Sequence, residues 1–314
     1  MRISVVIPTH NRASLLRRTL ESLARARLPA KTEIEVVVVD NASTDDTRAV
    51  VQSTAVGFPY PLRCVYEAHP GRSWALNAGI SDCQGDIVAM IDDDEECDER
   101  WFEVIVDAFA DPALGFLTGP YRPRWGASPP SWLPMRPSAV IGWVDGGDKI
   151  RTFGVDYNGV LMGGNAAVRR ELLLATGGYA THLGRTPGKR LMSAEDYNMQ
   201  LRLEKLGARG LYRPDLVIYH YVPAERMTLA YHIRWHLWNG VSMGIHDREF
   251  PQAVTYLLGI PRYVLGDLVR SIARMAGRWM RLRSTASPGE SLATLLKIVS
   301  AAGFVRGKHW PPKS

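Results

Sequence analysis

The sequence predicts an α/β fold, in which a mostly parallel central sheet is flanked by helices and followed by a basic helical C-terminal extension. Three observations predict this fold. First, short runs of Val and Ile alternate with helical patterns over the first hundred residues. Second, these runs are apolar at consecutive positions, as in strands that are buried on both faces. Third, turn residues separate the runs from the helical patterns. The composition agrees, since 46% of the 314 residues are hydrophobic and 22% are charged, which excludes a disordered or collagen-like chain.

Strands and helices follow one another in alternating order. The predicted strands are 3–7, 34–39, 62–66, 87–91, 115–119, 159–162 and 216–220. The predicted helices are 13–26, a helix through residue 52 that starts after turn residues 41–46, 73–82, 101–109, 169–175 and 195–206. The segment 121–137, rich in Pro and Trp, is predicted to be a loop. Parallel sheets bind ligands beyond the carboxyl ends of their strands. This rule predicts one binding edge that contains Thr9, Asp40, Glu67 and the aspartates 92–94.

Charge is distributed unevenly along the chain. Residues 225–314 contain 13 Lys and Arg against 5 Asp and Glu, a net charge of +8, so with +6 in total residues 1–224 carry −2. We therefore expect a main domain over 1–224 and a basic amphipathic helical region over 225–314. A basic segment suggests nucleic acid as a partner, but no helix-turn-helix, zinc-finger or RNP pattern is present, and we predict no nucleic-acid binding.

Several classes of protein are excluded by the sequence. The three cysteines form no CxxC pair, which argues against a disulfide framework and a zinc ribbon. The chain opens with four apolar residues before a proline, too few for a signal peptide, and no apolar run reaches about 18 residues, so we expect a cytoplasmic protein. The phosphate loop GxxxxGK[ST], the dinucleotide fingerprint GxGxxG and the nucleophile elbow GxSxG are also absent.

Three consecutive aspartates, Asp92, Asp93 and Asp94, follow an apolar strand. In an extended backbone Asp92 and Asp94 face the same side, where they could bind one ligand, and Asp93 faces the other. Carboxylates bind hard cations such as Mg²⁺ or Mn²⁺, and a cation relieves the repulsion among clustered acids. The alternative is a solvated acidic turn, but the position at the end of a strand favours the metal site.

Three further sites are each ambiguous. Glu195 and Asp196 start a predicted helix, where acids can simply cap the helix or take part in chemistry. The residues GGN at 163–165 follow a predicted strand, where they allow either the close approach of a ligand or a tight turn. His220 ends an apolar strand, and a lone histidine there is more often structural than a metal ligand.

Seven segments occur in the order typical of family-2 glycosyltransferases with the GT-A fold, which the sequence resembles over about residues 3–244. They are VVIPTHNRASLLRRTLESL, VVVVDNASTDDT, GRSWALNAGI, GDIVAMIDDDEE, LMGGNAAVRRELLLATGGY, SAEDYNMQLRLEKLG and YRPDLVIYH. The resemblance implies a Rossmann-like sheet, with a nucleotide-sugar-binding half in 1–100 and an acceptor half in 101–224. It also implies an inverting, metal-dependent enzyme of cell-surface polysaccharide synthesis, which moves a sugar from a nucleotide-diphosphate sugar, expected to be UDP-linked, to a hydroxyl of a saccharide or lipid-linked saccharide.

The resemblance also implies roles for individual residues. The catalytic residues are Asp196, as the base, and Glu195, which supports it. The residues that bind the nucleotide sugar are Pro8, Thr9, Asn11, Asp40, Arg72, Asp92, Asp93, Gly164 and Asn165. The ligands of Mn²⁺ or Mg²⁺ are Asp94, Asp92 and His220. Relatives often have another acid at the position of Asn198, so acceptor recognition does not carry over.

Residues 262–283 are amphipathic at the helical period, with Arg270, Arg274, Arg278 and Arg281 opposite an apolar stripe that includes Leu265, Leu268 and Ile272. Such a helix either lies in the interface of an anionic membrane or packs on the protein. Because many enzymes of the resembled family act on lipid-linked saccharides, we expect a peripheral contact with the inner face of the cytoplasmic membrane.

Three other functions are alternatives to glycosyl transfer, and each would need different sequence features. A nucleotidyltransferase that forms sugar nucleotides needs a Gly-rich basic loop after the first strand, where this chain has PTHNR. A glycoside hydrolase also uses two acids but needs no aspartate cluster at the edge of a nucleotide-binding sheet. A non-catalytic module that binds membranes or polysaccharides would not need both acidic motifs.

Overall fold

The computed structural model describes residues 1–186, 191–280 and 288–309. The strands are β1 (Arg2–Thr9), β2 (Glu33–Asp40), β3 (Leu62–Tyr66), β4 (Ile87–Ile91), β5 (Glu95–Cys97), β6 (Leu114–Thr118), β7 (Tyr121–Trp125), β8 (Arg151–Thr152), β9 (Asn165–Arg169), β10 (Arg209–Tyr212), β11 (Ile218–Val222), β12 (Tyr256–Leu257) and β13 (Ile260–Pro261). The α-helices are α1 (Ala13–Arg25), α2 (Thr47–Ala55), α3 (Arg72–Asp82), α4 (Trp101–Phe109), α5 (Arg170–Ala175), α6 (Glu195–Lys205), α7 (Leu229–Glu249), α8 (Arg262–Met280) and α9 (Pro288–Lys308).

The chain forms two compact units. The first unit consists of Met1–Trp125, Pro137–Thr181 and Glu195–Val222, and the second of Gly126–Arg136, His182–Ala194 and Pro223–Ser314. The first unit contains the large sheet, whose strand order is β3-β2-β1-β4-β9-β6-β10-β8. Strands β3, β2, β1 and β4 pair in parallel, as do β6 and β10, so the prediction of a mostly parallel sheet is confirmed.

The central strands are buried on both faces, which explains their continuous Val and Ile runs. Ile3, Val5 and Ile7 of β1 belong to one hydrophobic cluster, whereas Val6 belongs to a second cluster on the opposite face. Strand β1 also fixes the register of the binding edge, because Thr9 lies opposite Asp40 of the neighbouring β2. Two of the polar residues predicted at this edge therefore end adjacent strands.

Two predicted elements are wrong, and both corrections involve strands next to the site. Residues 159–162 form no strand; the strand is β9, which starts at Asn165 and runs antiparallel between β4 and β6. The small residues Ala166 and Ala167 are fully buried there. The two glycines of GGN therefore precede a strand, and Asn165 is its first residue. The predicted loop 121–137 also begins with β7, which pairs in parallel with β11.

A smaller sheet has the strand order β5-β11-β7 and contains His220 in β11. Strand β11 runs antiparallel to β5, and its His220 lies directly opposite Glu95. Directly opposed residues in an antiparallel pair project to the same face of the sheet. The register therefore brings an imidazole and a carboxylate together.

The second unit is built on the helices α7, α8 and α9. Gly240 and Gly244 of α7 face Gly303 and Gly307 of α9, and we call this contact the helix crossing. A methyl group on any of the four glycines would overlap a backbone carbonyl oxygen of the facing helix. The two backbones therefore approach more closely than any larger residue would allow.

Helix α8 packs beside α9 and divides the apolar stripe that was predicted to face a membrane. Leu265 and Leu268 of the stripe pack against the buried cluster that includes Phe304, whereas Ile272 of the stripe is 49% exposed. Val269, which was not part of the predicted stripe, is 66% exposed. Residues 281–283 of the predicted segment lie outside the described residues. Among the helices that the structure describes, none has the length and apolarity needed to cross a bilayer.

Candidate active site

The carboxyl ends of β1 and β2 begin the site. Thr9 donates a hydrogen bond from Oγ1 to Asp93 Oδ2 at 2.8 Å, so the end of β1 is tied to the aspartate cluster. Asp40 at the end of β2 is 1% exposed, and its carboxylate accepts hydrogen bonds from the Ser43 backbone N–H at 2.8 Å and from Arg48 Nε at 2.9 Å. The edge predicted from strand order is therefore assembled from neighbouring strands.

The loop after β1 contains two further residues that were predicted to bind the nucleotide sugar. Pro8 is buried within β1, where it lies opposite Val39. Asn11 has a left-handed backbone with φ of 52°, and its Oδ1 accepts hydrogen bonds from the backbone N–H groups of Thr44 at 2.7 Å and Asp45 at 3.2 Å. Asn11 thus links the loop after β1 to the loop after β2.

The three aspartates form a turn instead of an extended segment. The backbone N–H of Glu95 donates to Asp92 O at 3.2 Å, and Glu95 Oε2 accepts from the Asp92 backbone N–H at 2.8 Å. The expectation that Asp92 and Asp94 share one face and Asp93 the other is wrong, because a turn lacks the two-residue period of a strand. Asp93 and Asp94 face the same arginine, and Asp92 faces another.

Arg12 is the partner of Asp93 and Asp94, a pairing that was not predicted from the sequence. Its Nη1 donates to Asp93 Oδ1 at 2.9 Å and to Asp94 Oδ2 at 3.0 Å. Burial raises the pKa of Asp93 to about 6, and the charge of Asp94 adds to this effect while Arg12 opposes it. The available signal was the position of Arg12, three residues beyond the end of β1 and thus at the same edge as the aspartates.

Arg72, the first residue of α3, joins the two acidic motifs. Its guanidinium lies 3.0 Å from Asp92 Oδ1, 3.1 Å from Asp196 Oδ1 and 3.4 Å from Glu195 Oε1. Burial lowers the pKa of Arg72, but the charges of the surrounding carboxylates outweigh burial and raise it well above its ordinary value. Acids more than a hundred residues apart in sequence thus lie around one guanidinium within the first unit.

Two glycines before β9 make room for these acids. A methyl group on Gly163 would overlap Asp196 Oδ1, and one on Gly164 would lie 2.5 Å from both carboxylate oxygens of Glu95. Of the two alternatives for GGN, the tight turn is present, because the Asn165 backbone N–H donates to Met162 O at 2.9 Å. The glycines allow a backbone segment to pass directly over the acidic side chains.

Asn165, which follows these glycines, has a structural position. Its side chain is fully buried, and its Nδ2 donates to Pro120 O at 3.2 Å and Leu216 O at 2.7 Å. Its Oδ1 accepts from Trp101 Nε1 at 2.9 Å. Because these bonds use the donors and the acceptor of the amide within the fold, we do not include the side chain of Asn165 in the proposed donor site.

Asp94, Glu95 and His220 form the group that can hold a metal ion. One ligand atom of each residue lies within 4.8 Å of the others, and all three side chains are buried. His220 Nε2 lies 3.8 Å from Asp94 Oδ2. Of the predicted ligands, Asp94 and His220 are brought together, whereas Asp92 lies against Arg72 and Glu95 completes the group.

The chemistry of this group fits a divalent cation. Burial, followed by the charges of Asp92 and Asp94, raises the pKa of Glu95 well above its ordinary value. Buried carboxylates that repel one another gain most from a cation placed between them, and carboxylate-rich sites suit Mn²⁺ or Mg²⁺. We call the whole set of acids, arginines and histidine the acidic edge; its residues are Arg12, Arg72, Asp92, Asp93, Asp94, Glu95, Glu195, Asp196 and His220.

Comparison with known proteins identifies the family. Residues 4–176 match the family model described as glycosyl transferase family 2. The chain is 29% identical over 260 residues to the glucosyl-dolichyl phosphate glucuronosyltransferase of Haloferax volcanii, covering 81% of this chain and 80% of that protein. It is 26% identical over 235 residues to the succinoglycan biosynthesis protein ExoM of Rhizobium meliloti, covering 74% and 70%.

Solved structures show the same fold at low sequence identity. A mannosyltransferase from Pyrobaculum calidifontis, in complex with GDP-Man and Mn²⁺, superposes with a TM-score of 0.65 at 22% identity, over 98% of this chain and 87% of that one. Residues 1–349 of S. aureus TarS, in complex with UDP-GlcNAc, superpose with a TM-score of 0.56 at 16% identity, over 98% and 91%. Together with the family match, these likenesses establish that the chain is a glycosyltransferase of family 2 with the GT-A fold.

Proposed function

We propose that this enzyme transfers a sugar from a nucleotide-diphosphate sugar, with UDP as the first candidate nucleotide, to a hydroxyl group of a saccharide or lipid-linked saccharide. The proposed setting is the synthesis of a cell-surface polysaccharide or glycolipid. One observation carries the proposal: Asp92 of the aspartate turn and the pair Glu195 and Asp196 lie around the single guanidinium of Arg72. A metal-assisted transferase needs its donor-binding acids and its base in one cleft.

Relatives support the nature of the donor and the acceptor. The two structural neighbours are complexes with GDP-Man and UDP-GlcNAc, which are both nucleotide-diphosphate sugars. The glucuronosyltransferase of Haloferax volcanii is named for a glucosyl-dolichyl phosphate, a lipid-linked sugar, and ExoM for a polysaccharide, succinoglycan. We therefore assign Thr9, Asp40, Arg72 and the aspartate turn to the donor.

The proposed reaction is a single displacement at the anomeric carbon. Asp196 accepts the proton of the acceptor hydroxyl as its oxygen bonds to the anomeric carbon, while the bond from that carbon to the diphosphate oxygen breaks. Arg72 orients the carboxylate of Asp196 through the 3.1 Å contact, and Glu195 lies 3.4 Å from the same guanidinium. A divalent cation held by Asp94, Glu95 and His220 would neutralise charge on the departing nucleoside diphosphate. Attack opposite the leaving group inverts the anomeric configuration.

A donor screen tests this proposal. The protein is incubated with UDP-, GDP- and dTDP-linked sugars, with Mn²⁺ or with a chelator, and the released nucleoside diphosphate is measured. We expect release from one nucleotide class, which the chelator and Asp94→Asn each abolish. Asp107→Asn is the matched control, because Asp107 is 70% exposed and pairs with Arg213 outside the acidic edge. Release that is equal with Mn²⁺ and with chelator would refute the metal-dependent mechanism.

We also propose that the second unit contacts an anionic membrane. Leu257 and Leu258 at the tip of the β12–β13 hairpin are 54% and 85% exposed, and Val269 and Ile272 of α8 are exposed as well. Arg270 is 60% exposed on the same helix. Exposed apolar side chains beside basic ones are typical of surfaces that enter the interface of anionic lipids, where each cation contributes about 1 kcal/mol.

Vesicle flotation tests the membrane contact. We expect more protein to float with vesicles of phosphatidylglycerol and phosphatidylcholine than with phosphatidylcholine alone, and less after Leu258→Asp. The matched control is Val56→Asp in the first unit, because Val56 is also 85% exposed. Equal flotation of wild type with both vesicle types, or none with either, would contradict the contact.

A further inference from the structure

One carboxylate oxygen of the acidic edge lies beside both Arg12 and His220. Asp94 Oδ2 accepts a hydrogen bond from Arg12 Nη1 at 3.0 Å, and the same atom lies 3.8 Å from His220 Nε2 within the candidate metal group. A cation bound to Asp94 and His220 would therefore lie close to the guanidinium of Arg12. Two positive groups beside one carboxylate oxygen repel each other, and the carboxylate of Asp94 that they share is only 6% exposed.

The guanidinium of Arg12 is held in this place by charged hydrogen bonds to two carboxylates. Its side chain is 41% exposed, and its contacts in the site are the carboxylates of Asp93 and Asp94, which are 5% and 6% exposed. It is also the N-cap residue of α1, but its side chain makes no capping hydrogen bond. The helix therefore does not depend on the guanidinium, which can move if a stronger anionic partner arrives.

We propose that Arg12 makes cation binding at the acidic edge conditional on the nucleotide diphosphate. In the free enzyme the guanidinium occupies Asp94 and opposes the cation. When the donor binds, its diphosphate supplies negative charge for both positive groups, and Arg12 moves from Asp94 to a phosphate oxygen, which matches the guanidinium fork well. Arg12 is thus a positioning residue that couples the cation to the donor; this inference rests on the proposed donor and metal sites.

Coupling of this kind has a measurable signature. Mn²⁺ should bind weakly to the free enzyme and more tightly in the presence of nucleoside diphosphate, and the diphosphate should gain the same factor from Mn²⁺. Removal of the guanidinium removes the repulsion in the free enzyme. Arg12→Gln is therefore expected to bind Mn²⁺ alone about 10-fold more tightly than wild type, and to lose about 10-fold in the coupling factor.

The experiment measures Mn²⁺ binding by electron paramagnetic resonance, with the full-length protein alone and with saturating UDP or GDP. Arg18→Gln is the matched control, because Arg18 lies on the same helix and pairs with Glu96 at 2.6 Å, beyond the candidate metal group. Arg12→Lys keeps the positive charge and should keep weak binding of Mn²⁺ alone. Melting temperatures of all variants check that they are folded.

The outcomes separate this inference from the proposed function. If Mn²⁺ binds with nucleotide but Arg12→Gln shows the affinity and coupling of wild type, the role of Arg12 is refuted and the metal site stands. If Arg18→Gln changes binding as much as Arg12→Gln does, a general loss of charge explains the effect and the inference fails. If Mn²⁺ binds to no form of the protein, with or without either nucleotide, both the metal site and the inference are refuted.

Discussion

The acidic edge of the first unit and the helix crossing of the second unit both depend on glycines that leave no room for a side chain. At the acidic edge, a methyl group on Gly163 or Gly164 would meet the carboxylate tips of Asp196 and Glu95. At the helix crossing, a methyl group on Gly244 would meet the carbonyl oxygen of Phe304 and the backbone of α9. The added methyl group would therefore overlap the ends of side chains at the acidic edge and main-chain atoms at the helix crossing.

This difference indicates what each region has to preserve. A carboxylate at the end of a side chain can rotate away from an added methyl group, so the fold survives while the position of the acid changes. The backbone of a packed helix has no such freedom, so an added methyl group separates the helices. We therefore expect glycine substitutions to affect catalysis at the acidic edge and stability at the helix crossing.

The largest expected effect is at the acidic edge and involves the proposed base itself. Asp196→Asn keeps the size of the side chain but removes the proton acceptor, so kcat should fall by about 10²–10⁴-fold. Donor binding should persist, because Asp92, Asp93 and Asp94 are unchanged. Transfer is measured by release of nucleoside diphosphate in the presence of acceptor, and donor affinity by calorimetry. A variant with a kcat close to that of wild type would exclude Asp196 as the base.

A smaller loss is expected when the base is displaced and not removed. Gly163→Ala pushes the carboxylate of Asp196, and Arg72 Nη2 lies 3.0 Å from the position of the new methyl group. A displacement of this size at a reacting group should lower kcat by about 10²-fold. The melting temperature should change little, because the side chains give way. A large drop in melting temperature with an unchanged kcat per folded molecule would show that Gly163 serves stability and not catalysis, contrary to the expected difference between the two regions.

Much of the first unit could be predicted from its sequence, because its strands and helices are marked by local sequence patterns and the strands β1 to β4 pair in parallel. The strands 62–66 and 87–91 and the helix 101–109 have the predicted bounds, since apolar runs end at clear turn residues. The position of the acids at one edge followed from the parallel strand order. The pairing of Arg12 with Asp93 and Asp94 did not follow, because it depends on a turn that no two-residue period describes.

Less of the second unit could be predicted. The part of the predicted segment that the structure describes, residues 262–280, is helical, but which of its apolar residues face α9 depends on the approach of another helix. The glycines of α7 and α9, four residues apart in each helix, were the available signal for a close approach. The spacing of glycines within one helix does not identify the helix that packs against it. The contact between α7 and α9 could therefore be identified only from the structure.

At the helix crossing, an added methyl group should lower stability. Gly244→Ala overpacks the contact with the α9 backbone, which typically costs about 1–3 kcal/mol. The matched control is Gly277→Ala in α8, where, among the described residues and apart from the backbone of α8 itself, no atom lies within 4 Å of the added methyl group. This control should gain about 0.5–1 kcal/mol, as alanine usually does over glycine within a helix. The free energy of unfolding in urea, followed by circular dichroism, separates the two variants. Equal effects would mean that the crossing is not tightly packed.

The two regions should also respond to pH in opposite directions. Asp93 has a pKa of about 6, above its ordinary value, so its contribution to stability is lost as the pH rises through 6. His232 of α7 is 5% exposed, and burial, followed by the charge of His236, lowers its pKa below 6.5. The unfolded chain then binds a proton that the folded chain does not, so this contribution is complete above pH 6.5 and lost below it.

The smallest predicted effect concerns His232 alone. Between pH 7 and pH 5.5 wild type should lose unfolding free energy through His232, because the unfolded chain binds a proton there more readily than the folded chain does. His232→Gln cannot bind the proton, so its unfolding free energy should change less over the same interval, measured in urea at both pH values. His69→Gln, at a largely exposed histidine of the first unit, should follow wild type. If His232→Gln keeps the full pH dependence of wild type, the acid sensitivity of the protein arises elsewhere, and the opposition between acidic edge and helical unit does not hold.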